Sequence, residues 1–125
     1  MMDVTPIVAT DRQLVIGYGD GGFTITGLRH EGSVIIFPAQ TIPWPVAAFD
    51  ELTLEAFSPI LSQDNPPTIL LLGCGKVMRP LPRDLRDALK ARKIVVETMD
   101  TGAACRTYNV LLTEGRDVAA ALIAV

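Results

Sequence analysis

At 125 residues the chain has the size of one domain, and 49% hydrophobic against 20% charged residues supply a core and argue against disorder. Aromatic residues make up only 6%, so that core is aliphatic. A formal net charge of −3 argues against a nucleic-acid partner.

Leu14 to Tyr18 reads as a strand, and Asp20-Gly21-Gly22 is a strong turn signal after it. Phe23, Ile25 and, past Gly27, Leu28 suggest a returning strand with one wet face. Glu31-Gly32 is another turn. Ser33 to Phe37 is a short run rich in β-branched residues, expected to be a strand buried on both faces. The first third therefore reads as a β-meander. Pro38, Pro43 and Pro45 then interrupt regular structure, because each proline biases its predecessor away from helix. Thr53 to Leu61 has helical spacing at Leu54, Phe57 and Leu61, with Pro59 inside it. Asp64-Asn65-Pro66-Pro67 is a loop.

The second half is more regular. Thr68 to Leu72 is an apolar strand, followed by the loop Gly73-Cys74-Gly75. Pro82 stands at a helix start, and Leu81, Leu85, Ala88 and Leu89 form one apolar stripe. Lys90, Arg92 and Lys93 close that helix with charge its C-terminus favours. Ile94 to Thr98 is a strand. Asp100 or Thr101 caps the next helix, with Ala104, Tyr108 and Leu111 facing inward and Glu114-Gly115 at its end. Val118 to Val125 is the last strand. The order β-α-β-α-β from residue 68 predicts parallel strands, and no linker divides the chain, so residues 1–125 read as a single α/β domain.

The N-terminus lacks a basic stretch followed by an apolar core, so no leader is expected. No apolar run approaches the roughly 20 residues of a membrane span. Two cysteines make no disulfide framework, and the cytoplasm is the expected compartment. Charge is uneven along the chain. Residues 1–62 carry two basic and seven acidic side chains, and residues 63–125 carry nine and seven. Arg83, Arg86, Lys90, Arg92 and Lys93 hold much of the positive charge, with a solvated helix face as the default reading.

In an open parallel sheet, ligands bind beyond the C-terminal strand ends. Two loops meet that rule, Gly73-Cys74-Gly75-Lys76 and Met99-Asp100-Thr101-Gly102. The first exposes backbone N–H groups, the second opens a helix, and Lys76 and Arg106 could add charge for an anion. A tight turn and an ordinary cap explain the same residues, and Gly-x-Gly-Lys lacks P-loop spacing. Cys105 lies one turn into its helix, where a thiol can become nucleophilic. It shares a side with Ala104 and Tyr108, which favours a buried structural thiol. Cys74, between glycines, is expected to be exposed, and a Cys74–Cys105 redox pair is open. His30, the only histidine, sits by a turn as a structural residue or as a partner for a nucleophilic cysteine. No metal site assembles from it, and no cofactor is expected. Arg106 and Asn109 lie opposite Ala104, as a wet face or a stripe presented to a partner. Trp44, between prolines, plugs the core or anchors an interface.

Several of these residues carry a resemblance. Gly17-Tyr18-Gly19-Asp20-Gly21-Gly22-Phe23, Gly32-Ser33-Val34, Trp44-Pro45, Leu71-Leu72-Gly73-Cys74-Gly75 and Met99 to Asn109, in that order, resemble the Mth-type domain family of unknown function. That family includes the adipogenesis-associated Mth-domain protein and a mitochondrial assembly factor for respiratory complex I. The match covers nearly the whole chain. The resemblance implies a three-layer α/β fold, with an N-terminal β-meander packed on a mixed, mostly parallel central sheet and flanking helices. It implies a small protein, often oligomeric and without established enzymatic activity, that binds other proteins. Gly73, Gly75, Asp100, Thr101, Gly102, Arg106 and Asn109 match the family's pattern, while Cys74 stands where many relatives have Thr or Ser. The expected function is a non-enzymatic binding or assembly protein. The alternative is a small-molecule binder or enzyme at the strand ends.

Overall fold

The computed structural model describes residues 12–125. The N-terminal segment inspected for a leader lies outside the described residues. The chain opens with β1 (Val15–Gly19), β2 (Gly22–Ile25) and β3 (Leu28–Glu31), an antiparallel three-stranded sheet. Two tight hairpins build it. Asp20 and Gly21 have φ of 54° and 78°, and Thr26 and Gly27 have φ of 48° and 84°. Positive φ at both central residues is the type I′ turn that suits strand twist. The second hairpin corrects the expectation of one returning strand through Leu28. Threonine rarely adopts positive φ, so Thr26-Gly27 does not announce a turn. Its hydroxyl supports the turn instead, accepting from the Leu14 amide at 2.9 Å and donating to the Arg12 carbonyl at 3.1 Å.

β4 (Val34–Phe37) is buried at all four positions, as its unbroken apolar run implies. It does not extend the meander. It enters a five-stranded sheet of order β5-β4-β8-β6-β7. β5 (Gln40–Pro43) was not anticipated, because its proline argued against regular structure. An edge strand tolerates that proline, since its outer side needs no ladder. The helix expected over residues 53–61 is two short pieces, a 3-10 turn at Leu54–Phe57 and α1 (Ser58–Leu61). Phe57 and Ile60 are buried, while Leu54 is largely exposed.

The second half follows the expected order: β6 (Ile69–Gly73), α2 (Arg83–Ala91), β7 (Val95–Met99), α3 (Thr101–Thr113) and β8 (Val118–Leu122). β6 runs parallel to both β7 and β8, and β8 pairs antiparallel with β4. The sheet is therefore mixed, with β4 alone reversed. The meander and α3 cover one face through Phe23, Ile25, Tyr108 and Leu112. α2 and the short helices cover the other through Phe57, Ile60 and Leu89, with Trp44 of the segment after β5 beside them. Three layers result. Trp44 plugs the second face, with its indole N–H donating to the Ala56 carbonyl at 2.8 Å and its ring 5.9 Å from Phe57.

β8 is the central strand and fully buried, with Ala119 and Ala121 toward the α2 layer and Ala120 toward α3. Small side chains there let α3 lie close to the sheet. Ala120→Leu should force that contact apart and destabilise the fold by about 1–3 kcal/mol in urea unfolding. An unchanged midpoint would show that the α3 layer has slack.

Candidate functional site

The strand ends that the sequence singles out are joined at one side chain. Thr101 is fully buried. Its hydroxyl donates to the Ile123 carbonyl at 2.8 Å and accepts from the Gly75 amide at 2.9 Å. Its own amide donates to the Gly75 carbonyl at 2.8 Å. The Cys74 amide donates to the Met99 carbonyl at 2.9 Å, and the Ile123 amide to the Gly73 carbonyl at 3.0 Å. The segments leaving β6, β7 and β8 thus bond to one another. A Cβ on Gly73 would meet Thr101 Cα, Thr101 Oγ1 and Leu122 Cδ2, each at 3.0 Å. Glycine at 73 suits the close packing of α3 on β6, where a larger residue needs its neighbours to give by a few tenths of an ångström. Gly75 has a φ of +107°, which suits a glycine turn.

Asp100 caps α3, its carboxylate accepting from the Ala103 amide at 2.9 Å. Gly102 follows for a second packing reason. A Cβ there would collide with the phenol oxygen of Tyr18, which crosses from β1 onto the helix start. Arg106 reaches the same phenol, donating from Nη1 to Tyr18 Oη at 3.4 Å. Asn109 is not on a wet face. Its side-chain oxygen accepts from the Val15 amide at 2.9 Å, and its side-chain nitrogen donates to the Val15 carbonyl at 2.8 Å. The amide completes β1 where its register with β2 shifts between Val15 and Gly17.

Gly75, Lys76, Asp100 and Gly102 do come together, with Tyr18 and Val125, around a shallow depression of about 300 Å³. Tyr18 also walls a second depression beside Cys105, Arg106 and Asn109, of about 270 Å³. Tyr18 has no part in the sequence reading of the site. Its only signal was its place between Gly17 and Gly19. The donors expected to greet an anion are largely engaged within the protein: the Gly75 amide by Thr101, and the Ala103 amide by Asp100.

The cysteines do not meet. Cys74 packs in the core on the α2 side of the sheet and Cys105 in the core on the α3 side. Cys74 is buried, not exposed as expected, because its side chain turns inward, with Sγ 3.4 Å from the Arg79 carbonyl. Burial raises its pKa, against bonds with the Arg79 and Met99 backbone that lower it. Burial pushes the Cys105 thiol up to about 12, with Arg106 pulling down and Asp100 pushing up. Neither is an activated thiol. His30 lies on β3 opposite Phe23, and its imidazole has no hydrogen-bond partner among the described residues. Among those residues no group of His, Cys, Asp or Glu is arranged to hold a metal ion. No helix there is long and apolar enough to cross a membrane.

Residues 15–123 match the model of the family described as Protein of unknown function (DUF498/DUF598), and the chain belongs to that family. It is 40% identical over 107 residues to an uncharacterized protein of Rhodobacter capsulatus, covering 86% of this chain and 81% of that one. It is 36% identical over 106 residues to NADH dehydrogenase [ubiquinone] 1 alpha subcomplex assembly factor 3 of Mus musculus. That match covers 85% of this chain but 57% of the factor, so the chain spans little more than half the length of that relative. A Bartonella henselae crystal structure, described as an outer membrane protein, superposes with a TM-score of 0.85 at 39% identity, covering 93% and 98% of the two chains. The solution structure of a Mth938-like domain from Bordetella pertussis superposes with a TM-score of 0.79 at 28% identity, covering 98% and 92%. The fold and the Mth-type resemblance are thereby established.

Thr101→Val keeps the shape but strips the hydroxyl from the buried Ile123 carbonyl and the half-buried Gly75 amide. It should cost about 1–3 kcal/mol in urea unfolding and speed hydrogen exchange at the Gly75 amide. Unchanged exchange there would separate Thr101 from the strand ends. Cys105 sets a pH dependence. Its folded pKa is raised, so its contribution to stability is complete below the unfolded value of 9.0 and declines as pH rises from there to about 12. The wild type should lose stability with rising pH more steeply than Cys105→Ala, and parallel curves would contradict the burial.

Proposed function

We propose that the chain is a non-enzymatic protein-binding factor that acts in assembly of an NADH dehydrogenase. One observation carries this reading: the strand-end loops, where a ligand would enter such a sheet, bond to one another around Thr101 and leave only a shallow depression. Among the described residues, the raised thiol pKa values and a His30 without a hydrogen-bond partner leave no prepared nucleophile or base beside them. Likeness to the assembly factor of Mus musculus supports the assembly role. The surface also carries apolar side chains suited to a partner. Ile16, Tyr18, Leu28, Val77, Met78, Val95 and Val110 are all exposed. We assign the cytoplasm as its compartment, and the two free cysteines support that assignment.

Affinity purification of the full chain from cells that make an NADH dehydrogenase tests the reading. Subunits of that enzyme should be recovered, and deletion should lower the amount of assembled complex on native gels. Normal assembly after deletion, with no subunit recovered, would overturn it.

A further inference from the structure

β7 ends the five-stranded sheet, and no strand among the described residues pairs with its outer side. The ladder determines what that side presents. The Val95 amide donates to the Thr68 carbonyl at 2.9 Å, and the Met99 carbonyl accepts from Cys74 at 2.9 Å. Val95, Glu97 and Met99 therefore turn their backbone groups toward β6. Successive residues of a strand alternate, so the N–H and C=O groups of Val96 and Thr98 face outward. The register from Ile69↔Val95 to Gly73↔Met99 is unbroken, and no bulge or proline interrupts this edge. The opposite edge strand, β5, ends in Pro43. An open, regular edge is a template for another strand.

Beside β7 runs α2. Arg86 and Lys90, four residues apart and exposed, project from one face of it. With Ile94, Val95 and Val96 they line a groove of about 310 Å³. Residues 83–93 hold Arg83, Arg86, Lys90, Arg92 and Lys93 against Asp84 and Asp87 alone, in a chain whose net charge is −3. The ion pairs among the described residues, Arg29 with Glu31 and Arg79 with Asp50, involve none of these five. The positive charge beside the open edge is uncompensated by a bonded carboxylate.

We infer that the outer edge of β7 is a strand-addition site for an extended, acidic segment of a partner protein. The inference rests on the protein-binding reading above and names the surface and the chemistry. Val96 and Thr98 supply main-chain hydrogen bonds to the added strand, and its alternate side chains fall on opposite faces. Those on the α2 side meet Arg86 and Lys90 and carry carboxylates. Those on the other side meet Val95, which is 55% exposed, and Glu97, so they are apolar or basic and not acidic. A second copy of this chain fits poorly. Antiparallel pairing of two β7 edges would set two basic α2 helices side by side.

The test uses isotope-labelled full chain and two short peptides, one alternating glutamate with valine and one alternating lysine with valine. The acidic peptide should shift the Val96 and Thr98 amide resonances and slow their exchange, and the basic peptide should not. The exposed pair Arg86→Glu with Lys90→Glu should weaken the acidic peptide at least about tenfold and favour the basic one. Thr98→Pro removes one outward N–H at an edge that tolerates proline, and should weaken the acidic peptide without unfolding the chain. Equal binding of the two peptides, or no shift at Val96 and Thr98, overturns the site. So does self-association that Thr98→Pro abolishes, which would make a second copy the occupant. Recovery of the NADH dehydrogenase subunits unaffected by either variant overturns this edge and leaves the assembly reading standing.

Discussion

The Thr101 hydroxyl donates to Ile123 and accepts from Gly75, and those two bonds hold three chain segments at one spacing. Much else follows from that spacing. α3 begins against β6, so close that a Cβ on Gly73 would sit 3.0 Å from Thr101. β8 must end beside both, which seats it between β6 and β4 at the centre of the sheet. A buried hydroxyl with both roles filled is a high-stakes element, because it serves the buried Ile123 carbonyl and the half-buried Gly75 amide at once.

A second constraint sets the meander on this frame. The Asn109 amide pairs with both backbone groups of Val15, and Tyr18 rests on the bare Cα of Gly102. Helix α3 is therefore packed on the sheet by one side and on β1 by another. That double duty explains why its polar residues are not free. Asp100, Thr101 and Asn109 are each engaged within the chain. The same polar residues that suggest an anion site direct their hydrogen bonds within the chain. The outer edge of β7 and the exposed apolar side chains lie at the margins of the fold.

Legibility differed by element. The helices and strands after residue 68 were readable because apolar periodicity and clear punctuation agree there. Asp20-Gly21 was readable as a turn, whereas Thr26-Gly27 was not, since its stability comes from bonds to Arg12 and Leu14. β5 was hidden because proline is a poor strand residue except at an edge, and edge position is not a local property. Among the candidate site residues, Gly73, Gly75, Asp100 and Thr101 do converge, which their spacing in sequence left open. Their purpose was not legible, because a capped helix beside a glycine turn looks alike whether it waits for a ligand or bonds to its neighbours.

Composition, periodicity and motif order by themselves determined that this is an α/β chain with parallel β-α-β units and a Mth-type pattern. These are properties of residues near each other in sequence. Tertiary structure alone decided that Cys74 and Cys105 lie on opposite faces, that Tyr18 fills the space over Gly102, and that Asn109 is a strut. Each depends on contacts between segments far apart in the chain, and Val15 and Asn109 are 94 residues apart. No local propensity encodes such a distance; only packing the layers together brings those groups within reach.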